Sequence, residues 1–115
     1  MILGAGVFQC AGLRRAVDAG IRVVTVDNNP ANAGHKISGN SLNISTLAAD
    51  EVLAAAKRLK IDGIATFASD VATHTVAKVA SELGLPGPSV SSVRQLASKS
   101  HFRTLQHEHG IPAPK

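Results

Sequence analysis

Aromatic residues are nearly missing from this sequence of 115 residues, which holds three Phe and neither Trp nor Tyr. Stacking platforms for single-stranded nucleic acid need exposed aromatic rings, so that class of binding is excluded. Cysteine is equally scarce. Cys10 stands alone, which rules out a disulfide framework and a thiolate metal cluster and points to a reducing compartment, the cytoplasm by default. No long apolar run is present either. The N-terminal one is short and broken by glycine, so neither a signal peptide nor a membrane span is expected. Charge of one sign is also thin: of the net +4, the stretch from Arg94 onward carries +3 through Arg94, Lys99, Arg103 and Lys115 against Glu108. Four cations interleaved with three histidines are too sparse for a nucleic-acid arm and read as a solvated helix face.

What is present is aliphatic. At 44% hydrophobic residues the chain can bury one ordinary core and not two. Val, Ile and Ala suit helices packed on a buried parallel sheet. Short apolar runs alternate with amphipathic stretches, the pattern of βαβα units. Met1-Ile2-Leu3 reads as a strand, short enough to suggest further residues upstream, and residues 7–19 as a helix stopped by Gly20. Residues 21–26 are β-branched at most positions and predict a strand buried on both faces, ending at Asp27. Asn28 to Asn40, rich in Asn and Gly, predicts a loop. A strand over residues 41–44, a helix over 48–59 and a strand over 63–67 follow. Ser69 is expected to cap a helix over 70–83, and Ser91 one that runs, with a break near Ser98, to about His109. The predicted architecture is α/β: a Rossmann-like three-layer sandwich on a parallel sheet of four to five strands, in the probable order 3-2-1-4.

The first turn, Gly4-Ala5-Gly6-Val7-Phe8-Gln9, joins a strand to a helix. Glycines there allow a tight turn and close approach of a ligand or a neighbouring helix. The helix N-terminus offers N–H groups to an anion. Asp27 ends the second strand about twenty residues on, where dinucleotide-binding folds place a ribose-binding acid. Gln9, however, occupies the position where the fingerprint wants a small residue, with Gly12 available one turn later for helix–strand packing. Three readings stay open: NAD or NADP binding, a small-anion site, and a turn that serves only the fold. Ser69 and Asp70 follow the fourth strand. With order 3-2-1-4 they would flank, with residues 4–8, the crevice at the point where strand order reverses. The five histidines, at 35, 74, 101, 107 and 109, lack metal-ligand spacing, and no metal site is expected.

Four stretches, in order, carry a family likeness: Ile2-Leu3-Gly4-Ala5-Gly6; Val26-Asp27-Asn28-Asn29-Pro30-Ala31-Asn32-Ala33-Gly34; Ile61-Asp62-Gly63-Ile64 with Phe67-Ala68-Ser69-Asp70; and Lys99 through Gly110-Ile111-Pro112-Ala113-Pro114. Together they resemble the pre-ATP-grasp domain of the ATP-grasp superfamily, which includes biotin carboxylase, the carbamoyl phosphate synthetase large subunit and purine-pathway carboxylate–amine ligases. The resemblance implies that residues 1–98 form the pre-ATP-grasp domain and residues 99–115 a helix and linker into an ATP-grasp domain absent from this chain. It implies an ATP-phosphate contact at Lys99, and substrate contacts at Gly6, Val7, Phe8 and Asp70; the turn and strand-end readings add Gly4, Asp27 and Ser69 to the candidate substrate site. ATP and magnesium would serve the complete enzyme, in forming an acyl phosphate that an amine or similar nucleophile attacks, and neither is expected to bind this fragment tightly. The implied partners are the ATP-grasp domain of the same polypeptide and a small-molecule carboxylate or amine. Neither nucleic acid nor membrane is implied, and a homodimer is possible. Two further readings remain: a dinucleotide-binding module, and a non-catalytic interaction domain using Phe102 and Leu105.

Overall fold

The structure is a computed structural model and describes residues 1–113. Four short parallel strands form one sheet: β1 (Ile2–Leu3), β2 (Thr25–Val26), β3 (Ser41–Leu42) and β4 (Ala65–Thr66). Their order is β3-β2-β1-β4, as the alternation of elements predicts. Ile2 pairs with Thr25 and with Ala65, and Thr25 pairs with Ser41. Ladder pairing covers two residues in each strand, fully buried only in β2. Ile21 and Arg22 are exposed and lie outside β2.

Between β1 and β2 a 3-10 turn, Val7–Gln9, runs into helix α1 (Cys10–Asp18), and Gly20 ends it at φ +78°. The crossover from β2 to β3 holds a short helix, α2 (Ala33–Ser38), where the sequence predicts a loop. Its signals were there: Asn32 takes the extended conformation of an N-cap, and Gly39 closes the helix at φ +68°. The asparagines order the approach. The Asn29 side chain accepts from the Ala31 N–H at 3.0 Å, and its carbonyl accepts from the Asn32 N–H at 3.1 Å. Side chains that mimic backbone turns are the reason such a run reads as loop.

Helices α3 (Ala49–Leu59) and α4 (Thr73–Leu83) pack together on the far side of β4's crossover. Parallel crossovers are right-handed, so reversing direction from β3 to β4 places α3 and α4 on the face opposite α1 and α2. The main core lies on that side: Leu3, Val26, Val52, Ala56, Ile64, Ala72, Val76, Val79 and Ala80. α4 begins later than predicted. Ala72, not Ser69, precedes it, and Thr73 closes the turn by donating N–H and Oγ1 to the Asp70 carbonyl. Helix α5 (Val90–Ala97) is capped by Ser89, two residues ahead of the expected Ser91, with Ser89 Oγ accepting from the Ser92 N–H at 3.0 Å. Ser98 breaks the last helical stretch as expected and caps α6 (Lys99–Glu108) through the His101 N–H. Of the exit segment after Gly110, Pro114 and Lys115 lie outside the described residues.

Charge contributes little to this packing. Asp50 on α3 and Lys78 on α4 form a surface ion pair, and that hydrogen bond holds the carboxyl below and the ammonium above their ordinary ranges. Both groups are exposed, where such pairs stabilise weakly. No helix among the described residues is long and apolar enough to cross a membrane.

Close backbone approach fixes the other layer. Gly34 sits so near β1 that a Cβ there would lie 2.6 Å from the Ala5 carbonyl and 2.6 Å from Leu13. A Cβ on Gly12 would meet the Phe67 ring at 2.4 Å, confirming that this glycine seats the helix on the sheet. A ring can tilt, whereas a hydrogen-bonded carbonyl resists. Gly34→Ala should therefore lower the free energy of unfolding by about 1–3 kcal/mol, in the range of overpacked cores, and Gly12→Ala by less. Chemical denaturation midpoints check this, and equal losses at the two sites would contradict it.

Candidate functional site

The carboxyl ends of β1, β2 and β4 bring together Gly4, Gly6, Val7, Phe8, Asp27, Ser69 and Asp70, seven of the eight residues singled out from the sequence. Strand order reverses between β1 and β4, so the crevice between residues 4–8 and 67–71 has the topology of a ligand site in open α/β sheets. Lys99 is the exception. It opens α6, which packs on α5, and stands exposed.

The first turn is held from three sides by its own chain. Asp27 Oδ2 accepts from the Ala5 N–H at 2.9 Å, while Oδ1 accepts from the Asn29 N–H at 2.9 Å. Both carboxylate oxygens therefore fasten backbone, one on each side of the β1–β2 edge. The Ala5 carbonyl in turn accepts from the Gly34 N–H at 2.8 Å. This is a different contact from the ribose contact of a dinucleotide fold: both oxygens of Asp27 bond the protein's own backbone.

Gln9 completes the arrangement. It is 6% exposed, and its Nε2 donates to the Phe67 carbonyl at 3.0 Å and the Ala68 carbonyl at 3.2 Å. The side chain lies across both glycines. A Cβ on Gly4 would come within 3.3 Å of its Cδ, and one on Gly6 within 3.1 Å of its Oε1. Gly4 also needs its left-handed φ of +96°. The missing small residue of the fingerprint is thus replaced by a long one that fills the space the glycines leave. The sequence carried the signal, a polar residue at an inward position, and its partner carbonyls 58 and 59 residues away were not legible from spacing.

Beyond this frame the crevice is apolar at its mouth. Val7 is 73% and Phe8 81% exposed, and Val71, which follows β4, is exposed as well. The N–H groups of Val7 and Phe8 open a helix and have no carbonyl one turn back to bond. On the β4 side Ala68 holds φ +54°, unusual for a residue with a Cβ. Ser69 is half-buried and Asp70 exposed.

A concavity of about 930 Å³ lies at the opposite edge of the sheet, bordered by Met1, Arg22, Leu59, Gly63 and Pro86. Its walls are strand ends and aliphatic side chains, with Arg22, Lys60 and Asp62 among its polar groups. His35, the one buried histidine among the described residues, is a core group whose Nδ1 bonds Thr25 Oγ1 at 2.8 Å. Among the described residues no group of three His, Cys, Asp or Glu is placed to hold a metal ion.

The sequence profile of the ATP-grasp N-terminal domain matches residues 13–87. The chain belongs to the ATP-grasp N-terminal domain family. Solved structures agree at the level of fold. This ATP-grasp N-terminal domain is similar to phosphoribosylglycinamide synthetase from Anaerococcus prevotii (TM-score 0.81, 23% identity, covering 95% of this chain and 28% of that one). It is similar too to N5-carboxyaminoimidazole ribonucleotide synthetase from Thermotoga maritima (TM-score 0.80, 18% identity, 99% of this chain and 31% of that one). An L-amino acid ligase from Bacillus licheniformis gives a TM-score of 0.79 at 20% identity, over 98% of this chain and 30% of that one. The chain thus spans under a third of each of these proteins. Comparison of the sequence with curated proteins finds no significant match.

The clamp gives a direct expectation. In Asp27→Asn one of the two accepting oxygens becomes an NH₂ facing a backbone N–H. Hydrogen bonds to charged groups contribute about 1.5–3 kcal/mol each, so this near-isosteric change should cost stability on that order. A denaturation midpoint equal to that of the unsubstituted protein would contradict the assignment.

Proposed function

We propose that this domain is the substrate-side wall of an ATP-dependent carboxylate–amine (or related) ligase. The single observation that supports this most is family membership over residues 13–87 combined with a crevice at the strand-order reversal. In this reading residues 1–98 are the pre-ATP-grasp domain, of the kind found in carbamoyl phosphate synthetase and biotin carboxylase. Residues 99–115 lead into an ATP-grasp domain of the same polypeptide.

Roles divide along the two groups of residues. Gly6, Val7, Phe8, Ser69 and Asp70 line the crevice and contact a small carboxylate or amine substrate. Gly4 and Asp27 hold the turn that presents it. Lys99 supplies one phosphate contact at the junction. A lone exposed cation does not enclose ATP, whose retention takes a pocket with several phosphate partners. ATP and magnesium, when bound by the complete enzyme, supply activation of a carboxylate as an acyl phosphate. This chain's share is to bind and orient the substrate and to keep water from one side of it.

The test is genetic and then chemical. The reading frame beyond Lys115 is expected to encode an ATP-grasp domain. The whole product should release ADP only when a carboxylate and magnesium are both supplied, and hydroxylamine should trap the activated acyl group as a hydroxamate. A stop codon after residue 115 with no ATP-grasp domain encoded nearby would contradict the proposal.

A further inference from the structure

Gln9 makes two contacts that no ligand-binding role requires and leaves one atom unused. Its Nε2 reaches two successive carbonyls, those of Phe67 and Ala68, at 3.0 and 3.2 Å. Only an NH₂ can face two carbonyl oxygens, so chemistry fixes which way the amide is turned. The residue it holds, Ala68, has the left-handed φ of +54° that a side chain ordinarily avoids. Such a conformation persists only where neighbours over-determine it, and the buried amide is the neighbour that bonds it. Oε1 then points the other way, 3.1 Å from where a Cβ on Gly6 would be. It accepts no hydrogen bond within the described residues. Yet no buried side-chain oxygen or nitrogen lacks a partner among them, so Oε1 retains some contact with solvent.

We propose that Gln9 is a positioning residue for residues 67–70, the crevice's second wall, and that its Oε1 is a fixed acceptor selecting a hydrogen-donating ligand group above Gly6. The amide is locked at its nitrogen end, so the oxygen cannot turn away to present a donor. An amine, amide or hydroxyl gains a hydrogen bond at that point. A carboxylate or phosphate meets a carbonyl oxygen's partial negative charge there, with no compensating donor on Gln9. The ligand half of this inference rests on the reading of the carboxyl edge as a substrate crevice; the positioning half does not.

Nuclear magnetic resonance of the ¹⁵N-labelled chain tests each half separately. In Gln9→Glu at neutral pH a carboxylate faces two carbonyls, and the amide signals of residues 67–70 should move away from those of the unsubstituted protein. On acidification the protonated acid regains a donor, and those signals should return. In Gln9→Met, of similar length and without a donor, they should stay displaced at every pH, with the unsubstituted protein as control for pH itself. Loop signals unmoved in both variants, or a Gln9→Glu spectrum indifferent to pH, would overturn the positioning role. Should either variant fail to fold, the unsubstituted protein decides: the Gln9 NH₂ protons should exchange at least about tenfold more slowly than those of exposed Gln95, and equal rates overturn it. For the ligand half the probes are glycinamide and acetate at equal concentration. Glycinamide should shift the Gly6, Val7 and Phe8 amides several-fold more than acetate does. Equal shifts, larger shifts with acetate, or none with either, overturn the selectivity while leaving the positioning result standing.

Discussion

The carboxylate of Asp27 is the constraint on which the upper edge of this domain depends. It draws the Ala5 N–H and the Asn29 N–H to its two oxygens, joining the turn after β1 to the loop after β2. Once Ala5 is fixed, its carbonyl faces Gly34, and the short helix α2 can approach only because Gly34 has no side chain. Gln9 then spans from the same turn to the end of β4. Three strands that pair over only two residues each are in this way held together at one edge by side chains. Short ladders alone would fix their ends poorly, since each supplies few hydrogen bonds against the entropy of ordering the loops.

This economy bears on function. A glycine-rich turn opening a helix invites a phosphate, but here part of the turn is already committed: Ala5 on both its N–H and its carbonyl, and the space beside Gly4 and Gly6 to the Gln9 side chain. What the edge still offers is the open side of the β1–β4 crevice, with exposed Val7, Phe8 and Val71 at its mouth and Ser69 and Asp70 beyond. On the function proposed above, that surface is one wall for a substrate closed in from the other side. A domain of the ATP-grasp N-terminal family fits this incompleteness, for a crevice with one wall has little affinity of its own. Phe102, 40% exposed on α6, and half-buried Leu105 add apolar surface at the other end of the chain.

Much of the fold was legible because its cues were local. The expected strand order 3-2-1-4 of a Rossmann-like sheet is the one observed, and Gly20 ends its helix with positive φ as its position suggested. Errors arose where side chains imitate backbone. The Asn-rich segment hides α2 because asparagine serves turns and caps alike, and Ser69 and Ser91 look like caps while Ala72 and Ser89 hold those places. The site was half legible. Topology and spacing brought seven of its residues to one edge, but the partners of Asp27 and Gln9 lie across the sheet, at separations no local pattern encodes. A fingerprint acid that bonds its own backbone and one that awaits a ribose look alike in a sequence.

The central claim is that the glycine turn is committed to the protein's own structure and is not a dinucleotide seat. Titration calorimetry of this chain with NADH and NADPH tests it most directly. The account predicts no heat of binding with either nucleotide up to millimolar concentration; micromolar binding of either would contradict it.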